Sequence, residues 1–224
     1  MRDLSQNVVL VVGANGGLGR AISSLLSARG ATLALTVRRP EALAVDASQE
    51  LIVGDMTAHD FARAAIARTL ERFGKVDGVI NLSGVVAFGA LTDVEDPIVA
   101  ELFAVNVVGA MRLMRAFAEV NTGGFFVSVS GAAAETPFLG LSAYGASKAA
   151  LSMATRSFAL ESRRKTMTVI DARPPHTETE LSLHPLFGTA PRMPKGLLPA
   201  AVAERIIQAI ENDEREVPAA AFRA

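Results

Sequence analysis

Hydrophobic residues occur along the chain in short aliphatic runs that alternate with stretches of helical periodicity. The first run, Val8 to Val12, is continuous and mostly valine, which is typical of a strand covered on both faces in a parallel sheet. From Leu18 to Arg29 the apolar residues recur at the spacing of one helical face, and Gly30 ends this predicted helix. The pattern therefore predicts a strand followed by an amphipathic helix.

The same alternation continues to the end of the chain. The predicted strands cover residues 8–12, 31–37, 51–53, 76–82, 124–130 and 166–172, with a short edge strand over 216–222. The predicted helices cover residues 18–29, 58–73 (with Thr57 as N-cap), 97–120, 141–164 and 200–212, with a short piece near Pro40. Strands that alternate with helices form parallel sheets with right-handed crossovers. We therefore predict an α/β fold, a single doubly wound, Rossmann-like domain over residues 1–224, with a parallel sheet of six to seven strands flanked by helices.

The composition narrows the classes of function. The 224 residues carry a formal net charge of −1. Proteins that bind the phosphate backbone of nucleic acids carry a surplus of basic residues, so we expect no nucleic-acid partner. The sequence contains no cysteine, which excludes thiolate metal sites, and its three separated histidines give little support for a zinc site. The chain lacks the run of about 18 apolar residues that would predict a membrane span, and the polar start from Met1 to Asn7 argues against a secretory signal. We therefore expect a cytoplasmic protein without a metal or a membrane partner.

A glycine-rich turn follows the first predicted strand. It contains Gly13, Asn15, Gly16, Gly17, Leu18 and Gly19, with the glycine spacing G-x-x-x-G-x-G. Glycines permit a tight turn and a close backbone approach, and the N-terminus of the next helix offers free N–H groups to a pyrophosphate. A plain strand-to-helix connection would also contain glycine, but the position after the first strand of an alternating fold favours nucleotide binding.

The end of the second predicted strand bears on the type of nucleotide. An acidic residue there would accept hydrogen bonds from a free ribose 2′-hydroxyl. The sequence instead has Arg38 and Arg39, whose guanidinium groups suit a 2′-phosphate, although a solvated pair of surface charges is the alternative. The pair therefore favours NADP over NAD.

The only tyrosine, Tyr144, lies four residues before Lys148 at the start of a predicted helix, so the two side chains share a face. A free phenol has a pKa of about 10 and is a poor acid or base at neutral pH. A neighbouring ammonium group favours the phenolate and lowers that pKa. Such a pair can donate a proton to a carbonyl oxygen or remove one from an alcohol. By itself, this spacing is common on helices.

The glycine turn and the Y-x-x-x-K pair together resemble the short-chain dehydrogenase/reductase family, and the resemblance covers nearly the whole chain. Asp55 resembles the family residue that contacts adenine, and the stretch from Asn81 to Gly84 resembles its Asn-Asn-Ala-Gly segment. Asn106 resembles the helix asparagine that helps to hold a proton-relay water. The cofactor contacts implied outside the glycine turn and the arginines are Asp55, Met56, Asn81, Ser83, Gly84, Tyr144, Lys148, Pro174, His176, Thr177 and Thr179.

The resemblance also implies a reaction. NADPH would deliver hydride to a carbonyl carbon while Tyr144 protonates the oxygen. Lys148 would bind the nicotinamide ribose and depress the Tyr144 pKa. A serine would hydrogen-bond the substrate oxygen and stabilise its developing charge.

Two stretches depart from the family pattern. Thirteen residues before Tyr144, where the family has its serine, the chain has Gly131, so we assign the serine role to Ser130; the alternatives are Ser142, water or an unfilled role. After the sixth predicted strand, Pro175 replaces a glycine, and His176 falls where the nicotinamide carboxamide would be held. His176 either contributes only its backbone or reaches the substrate, and Thr177 or Thr179 contacts the cofactor.

The segment from Thr177 to Pro199 corresponds to a substrate lid and is rich in leucine, which favours a partly apolar substrate. The helices over 97–120 and 141–164 resemble those that pair subunits in the family, so we expect a homodimer or homotetramer. The leading hypothesis is an NADP(H)-dependent oxidoreductase acting on a carbonyl or secondary alcohol of a small, partly apolar substrate. Gly131 and Pro175 motivate the alternative of a catalytically weak NADPH-binding sensor or scaffold, and the short lid disfavours a sugar-nucleotide epimerase or dehydratase.

Overall fold

The computed structural model describes residues 1–40, 43 and 45–222, and its central element is a seven-stranded parallel sheet. The strands are β1 (Val8–Val12), β2 (Thr32–Val37), β3 (Glu50–Val53), β4 (Gly78–Asn81), β5 (Phe125–Val129), β6 (Thr168–Ala172) and β7 (Glu216–Val217). Their order, β3-β2-β1-β4-β5-β6-β7, reverses direction between β1 and β4. This is the doubly wound arrangement that the sequence predicts, and it opens a crevice at the carboxyl ends of these two strands.

Helices cover both faces of the sheet. They are α1 (Gly17–Ala28), α2 (Phe61–Phe73), α3 (Asp96–Phe103), α4 (Ala110–Val120), α5 (Ser142–Glu161) and α6 (Pro199–Glu211). Because successive side chains of a strand point to opposite faces, Val9 and Val11 pack in one cluster with α1 and α6, and Leu10 and Val12 in another with α2, α4 and α5. Burial on both faces explains why β1 is a continuous aliphatic run.

The long helix predicted over 97–120 is continuous but not uniform. A π-helical segment, Ala104–Gly109, separates α3 from α4 and carries Asn106. The whole run from Asp96 to Val120 has the length and composition of a membrane span, and 44% of its most apolar window is buried inside the fold. Buried core helices of soluble proteins meet the same criterion of length and composition. The expectation that no segment is long and apolar enough to span a membrane is nevertheless wrong.

Several predicted boundaries differ from the structure. Helix α2 begins at Phe61 rather than Ala58, because the Thr57 hydroxyl and amide both donate to Asp55 Oδ1 and Thr57 does not cap the helix. The edge strand β7 has only two residues, and α5 ends at Glu161, three residues early. The short helix predicted near Pro40 falls on residues 41, 42 and 44, which lie outside the described residues.

Candidate active site

A cleft of about 490 Å³ lies at the carboxyl ends of the central strands. It brings together most of the residues that the sequence singles out: Gly13, Asn15, Gly16, Gly17, Leu18, Gly19, Arg38, Asp55, Met56, Ser83, Gly84, Ser130, Tyr144, Lys148, Pro174, His176, Thr177 and Thr179. Three predicted site residues, Arg39, Asn81 and Asn106, do not line it. The functional roles of all these residues stay predictions, but their placement at one site is a structural fact.

The glycine turn forms the floor of the cleft and is tightly constrained. Gly13 has a φ of +82°, which L side chains rarely adopt. A Cβ on Gly19 would lie 2.3 Å from the carbonyl oxygen of Gly13, so α1 packs directly on the turn that precedes it. The first residues of α1 line the cleft, and the first N–H groups of a helix have no partner within it, as a pyrophosphate requires. Thr179 packs against the start of α1, since a Cβ on Gly17 would lie 3.1 Å from the methyl carbon of Thr179.

Asp55 and Asn81 use their side chains to shape loops. The hydroxyl and amide of Thr57 both donate to Asp55 over 2.7 Å and hold the pKa of Asp55 below its usual value, with Arg38 adding to the effect. Asn81 is buried, and its Oδ1 accepts hydrogen bonds from the hydroxyl of Ser83 at 2.6 Å and from its amide at 3.2 Å. Asn81 thus orders the loop after β4, and Ser83 and Gly84 of that loop face the cleft.

Tyr144 and Lys148 lie on one face of α5 and both face the cleft. Lys148 is buried, and its Nζ donates to the carbonyl of Val129 at 3.0 Å and lies 5.8 Å from the centre of the Tyr144 ring. Burial lowers the pKa of Lys148 to about 8, against the opposing attraction of the Asp171 carboxylate. Burial raises the pKa of Tyr144 to about 12, although part of the side chain faces the cleft. The direction of this shift is opposite to the one expected from Lys148, and its cause is loss of solvation.

Asn106 braces the site from behind. Its amide nitrogen donates to the carbonyl of Val85 and to the Ser147 hydroxyl, both at 3.0 Å, and its Oδ1 accepts from the Val85 amide at 2.9 Å. The Ser147 hydroxyl in turn donates to the carbonyl of Tyr144 at 2.7 Å. Protein atoms thus satisfy the Asn106 side chain and link the loop after β4 to α5, and its contact with a relay water stays a prediction.

Ser130 lines the cleft as expected, but its hydroxyl has a partner inside the fold. The residue is fully buried, and its hydroxyl donates to Asp171 Oδ1 over 2.5 Å. A serine hydroxyl has one proton, and a donor already engaged by a carboxylate is not available to a carbonyl oxygen in the cleft. This arrangement argues against Ser130 as the group that polarises the substrate. Ser142, the protein alternative, is not among the residues that line the cleft.

A model of the short chain dehydrogenase family matches residues 7–184 of the chain. The protein belongs to the short-chain dehydrogenase/reductase family. It is an oxidoreductase of the NAD(P)-dependent class, and the matched residues include the glycine turn and the Tyr144–Lys148 pair.

Individual relatives agree with this assignment. The chain is 30% identical over 162 residues to the 11-beta-hydroxysteroid dehydrogenase A of Sesamum indicum, a match that covers 67% of this chain and 47% of the plant protein. A short chain dehydrogenase from Burkholderia cenocepacia, solved in complex with NADP, is 25% identical with a TM-score of 0.85 and covers 97% of this chain and 90% of its own. A 3-ketoacyl-(acyl-carrier-protein) reductase from Brucella melitensis, complexed with NADH, has a TM-score of 0.86 at 20% identity, covering 98% and 100% of the two chains, and shows the shared fold alone.

This short-chain dehydrogenase also has a charged cluster that the sequence reasoning missed. Asp171 is fully buried in β6, and Arg173 directly after the strand is only 6% exposed. Arg173 donates to Asp171 at 2.7 Å, to Glu216 at 2.8 Å and to Glu135. The signal in the sequence is a carboxylate inside a strand that the fold buries on both faces, since a buried charge needs a partner.

In the segment after β6, the side chains of Thr177 and His176 make their contacts with other residues of the same segment. The Thr177 hydroxyl donates to the carbonyl of Pro175 at 3.0 Å. The His176 ring packs against Gly196, and its Nε2 lies 3.7 Å from Glu178 Oε1. His176 nevertheless lines the cleft, within the same site as Tyr144 and Lys148.

Proposed function

We propose that this enzyme transfers hydride between NADP(H) and a carbonyl or secondary alcohol of a small, partly apolar substrate, with reduction as the favoured direction. The observation that carries the proposal is the placement of Tyr144 and Lys148 in a cleft that also contains the glycine turn. A bound nicotinamide cofactor supplies the hydride. With its pKa raised to about 12, Tyr144 is protonated at neutral pH and so carries the proton that reduction of a carbonyl oxygen requires.

The preference for NADP rests on Arg38. Arg38 lines the cleft directly after β2, whereas the exposed Arg39 does not. No acidic residue occupies the end of β2, where an NAD-specific enzyme would bind the ribose hydroxyls. The guanidinium of Arg38 is therefore the group proposed to bind the 2′-phosphate.

Arg38→Asp should weaken NADPH binding by about 10- to 100-fold, because a hydrogen bond to a charged group contributes about 1.5–3 kcal/mol. NADH binding should be unchanged or stronger, since the new carboxylate can accept from ribose hydroxyls. Calorimetric titration of each protein with both cofactors measures the ratio. Arg39→Asp is the matched control, as it makes the same change of charge outside the cleft. A wild-type protein with equal affinity for NADPH and NADH would contradict the assignment of Arg38.

The substrate end of the cleft supports a partly apolar substrate. Its apolar lining includes Val86, Phe88, Phe138, Leu141, Leu181 and Met193. Leu139, the residue after Phe138, is fully exposed and does not line the cleft. The experiment that tests this function is a screen of NADPH oxidation across ketones, aldehydes and quinones with apolar substituents. Turnover confined to small polar carbonyls would contradict the proposed substrate class.

The proposal includes a homodimer or homotetramer in the cytoplasm. Apolar side chains on the outer faces of the π-helical segment, α4 and α5 support self-association: Val108, Met111, Val120, Met153 and Leu160 are all exposed. Light scattering after gel filtration tests the oligomer, and cell fractionation tests the location.

A further inference from the structure

The carboxylate of Asp171 collects three hydrogen bonds inside the protein. Ser130 donates to Oδ1, and Ser152 and the Nη1 of Arg173 donate to Oδ2, over 2.5, 2.5 and 2.7 Å. Asp171 and Ser130 are fully buried, and Ser152 and Arg173 are nearly so. A buried carboxylate with three donors, one of them a guanidinium, is satisfied in its charged form.

Two of these donors belong to the segments that hold Lys148. Ser152 lies four residues after Lys148, on the same face of α5. Ser130 directly follows Val129, whose carbonyl accepts the Lys148 ammonium at 3.0 Å. Asp171 therefore ties the helix that carries the lysine to the strand end that binds it.

The charges around Lys148 act in opposite directions. Its own helix contributes Tyr144, and β6 contributes Asp171, whose negative charge favours the ammonium form. Burial favours the neutral amine. Arg173 is bound to the same carboxylate, and although burial opposes its charge, hydrogen bonds to Glu216 and Asp171 raise its pKa well above the usual value. Arg173 is thus a permanent cation that keeps the Asp171 carboxylate in place.

We propose that Asp171 is a positioning residue for hydride transfer: its carboxylate anchors α5 and the end of β5, the two segments that hold Lys148 toward the cleft, and Ser130 is part of this support rather than a substrate ligand. The negative charge of Asp171 also acts on Lys148 through space. This inference rests on the proposed function only in assuming that Lys148 takes part in the hydride-transfer reaction. Asp171 itself touches neither the substrate nor the cofactor in this role.

The first test is independent of catalysis. The chain has four lysines, Lys75, Lys148, Lys165 and Lys195, so the Cε NMR signal of labelled lysine can be titrated, with Lys148→Met assigning the signal. The wild-type midpoint is expected near 8. Asp171→Asn should lower it by about one unit, because an opposite charge that favoured the ammonium form is removed. An unchanged midpoint in the folded variant would overturn the electrostatic part of the proposal, whatever substrate the enzyme uses.

The second test uses turnover and does not need the Asp171 variant to fold. Ser152→Ala keeps the carboxylate and removes one anchor, so kcat should fall several-fold while the Kd for NADPH and the substrate KM change little. Thr155→Val is the matched control, since Thr155 is a buried hydroxyl on the same helix that donates to the carbonyl of Leu151 at 2.8 Å and not to Asp171. Where Asp171→Asn folds, kcat should fall by about 10- to 100-fold, as expected for a misplaced catalytic group, and the basic limb of its pH profile should move to lower pH.

Equal kcat values for Ser152→Ala, Thr155→Val and wild type would overturn the positioning role. A protein that proves inactive on every carbonyl would refute the proposed function, yet the lysine titration would still decide the effect of Asp171 on Lys148. A fall in thermal stability without a change in either the titration or kcat would mark the cluster as a structural ion pair only.

Discussion

Tyr144→Phe should reduce the rate of carbonyl reduction by at least about 10²- to 10⁴-fold while NADPH binding stays close to wild type, because only the proton donor is removed. The phenol lines the cleft and is protonated at neutral pH, since burial raises its pKa to about 12. The phenylalanine ring keeps the packing beside Lys148. Stopped-flow or steady-state NADPH oxidation, with the Kd for NADPH measured separately, distinguishes loss of chemistry from loss of binding.

The composition supplies an internal check on this prediction. Tyr144 is the only tyrosine and the chain has no tryptophan, so the ultraviolet titration of the phenol reports this residue alone. Its midpoint should lie well above the value of about 10 for a free phenol. Unchanged turnover in Tyr144→Phe would refute the proton-donor role, and a phenol midpoint at or below the free value would refute the effect of burial on which the reductive direction rests.

The sequence was sufficient for the sheet and for most of the cleft, because both depend on local patterns. Val8 to Val12 is apolar at every position since β1 is covered on both faces, and the glycine turn follows from the contact between α1 and Gly13. Strand ends of a parallel sheet share one edge, so residues after β1, β2, β4 and β6 had to meet at one cleft.

What the sequence did not predict depends on partners distant along the chain. Ser130 hydrogen-bonds a carboxylate 41 residues away, and no spacing rule indicates that its proton is already engaged. Asp171 lies inside the sixth predicted strand, and a charge in a strand covered on both faces needs a buried partner that the strand pattern does not identify. The direction of the Tyr144 pKa shift was also missed, because proximity of an ammonium group can be read from spacing but loss of solvation cannot.

Local competition explains the remaining boundary differences. Thr57 is a good N-cap by residue type, but its hydroxyl and amide both bind Asp55, so α2 starts after Asp60 instead. The π-helical segment around Asn106 leaves the apolar periodicity intact on both sides and therefore gives no sequence signal. For α2, the partner of the Thr57 side chain, rather than its capping propensity, decides where the helix begins.

Gly19→Ala should destabilise the protein and abolish cofactor binding, and this is the second large effect that we expect. The new Cβ would lie 2.3 Å from the Gly13 oxygen and 2.8 Å from the Ala14 backbone, so the turn itself has to move. Overpacking destabilises the folded protein by about 1–3 kcal/mol or more, whereas the higher helix propensity of alanine stabilises it by at most about 1 kcal/mol. Each kcal/mol of lost stability lowers Tm by about 2–4 °C in a chain of this size.

Gly16→Ala is the matched control for Gly19→Ala, because its Cβ would make an ordinary contact of 3.6 Å with the same Gly13 oxygen and its φ of −69° suits any residue. Its Tm should therefore stay close to wild type, whereas that of Gly19→Ala falls. Calorimetric Tm values and NADPH titrations on both variants measure the difference. Equal Tm values for the two variants would show that α1 does not depend on close contact with Gly13. Cofactor binding at the turn would then depend only on the free N–H groups of α1, because both variants keep these groups.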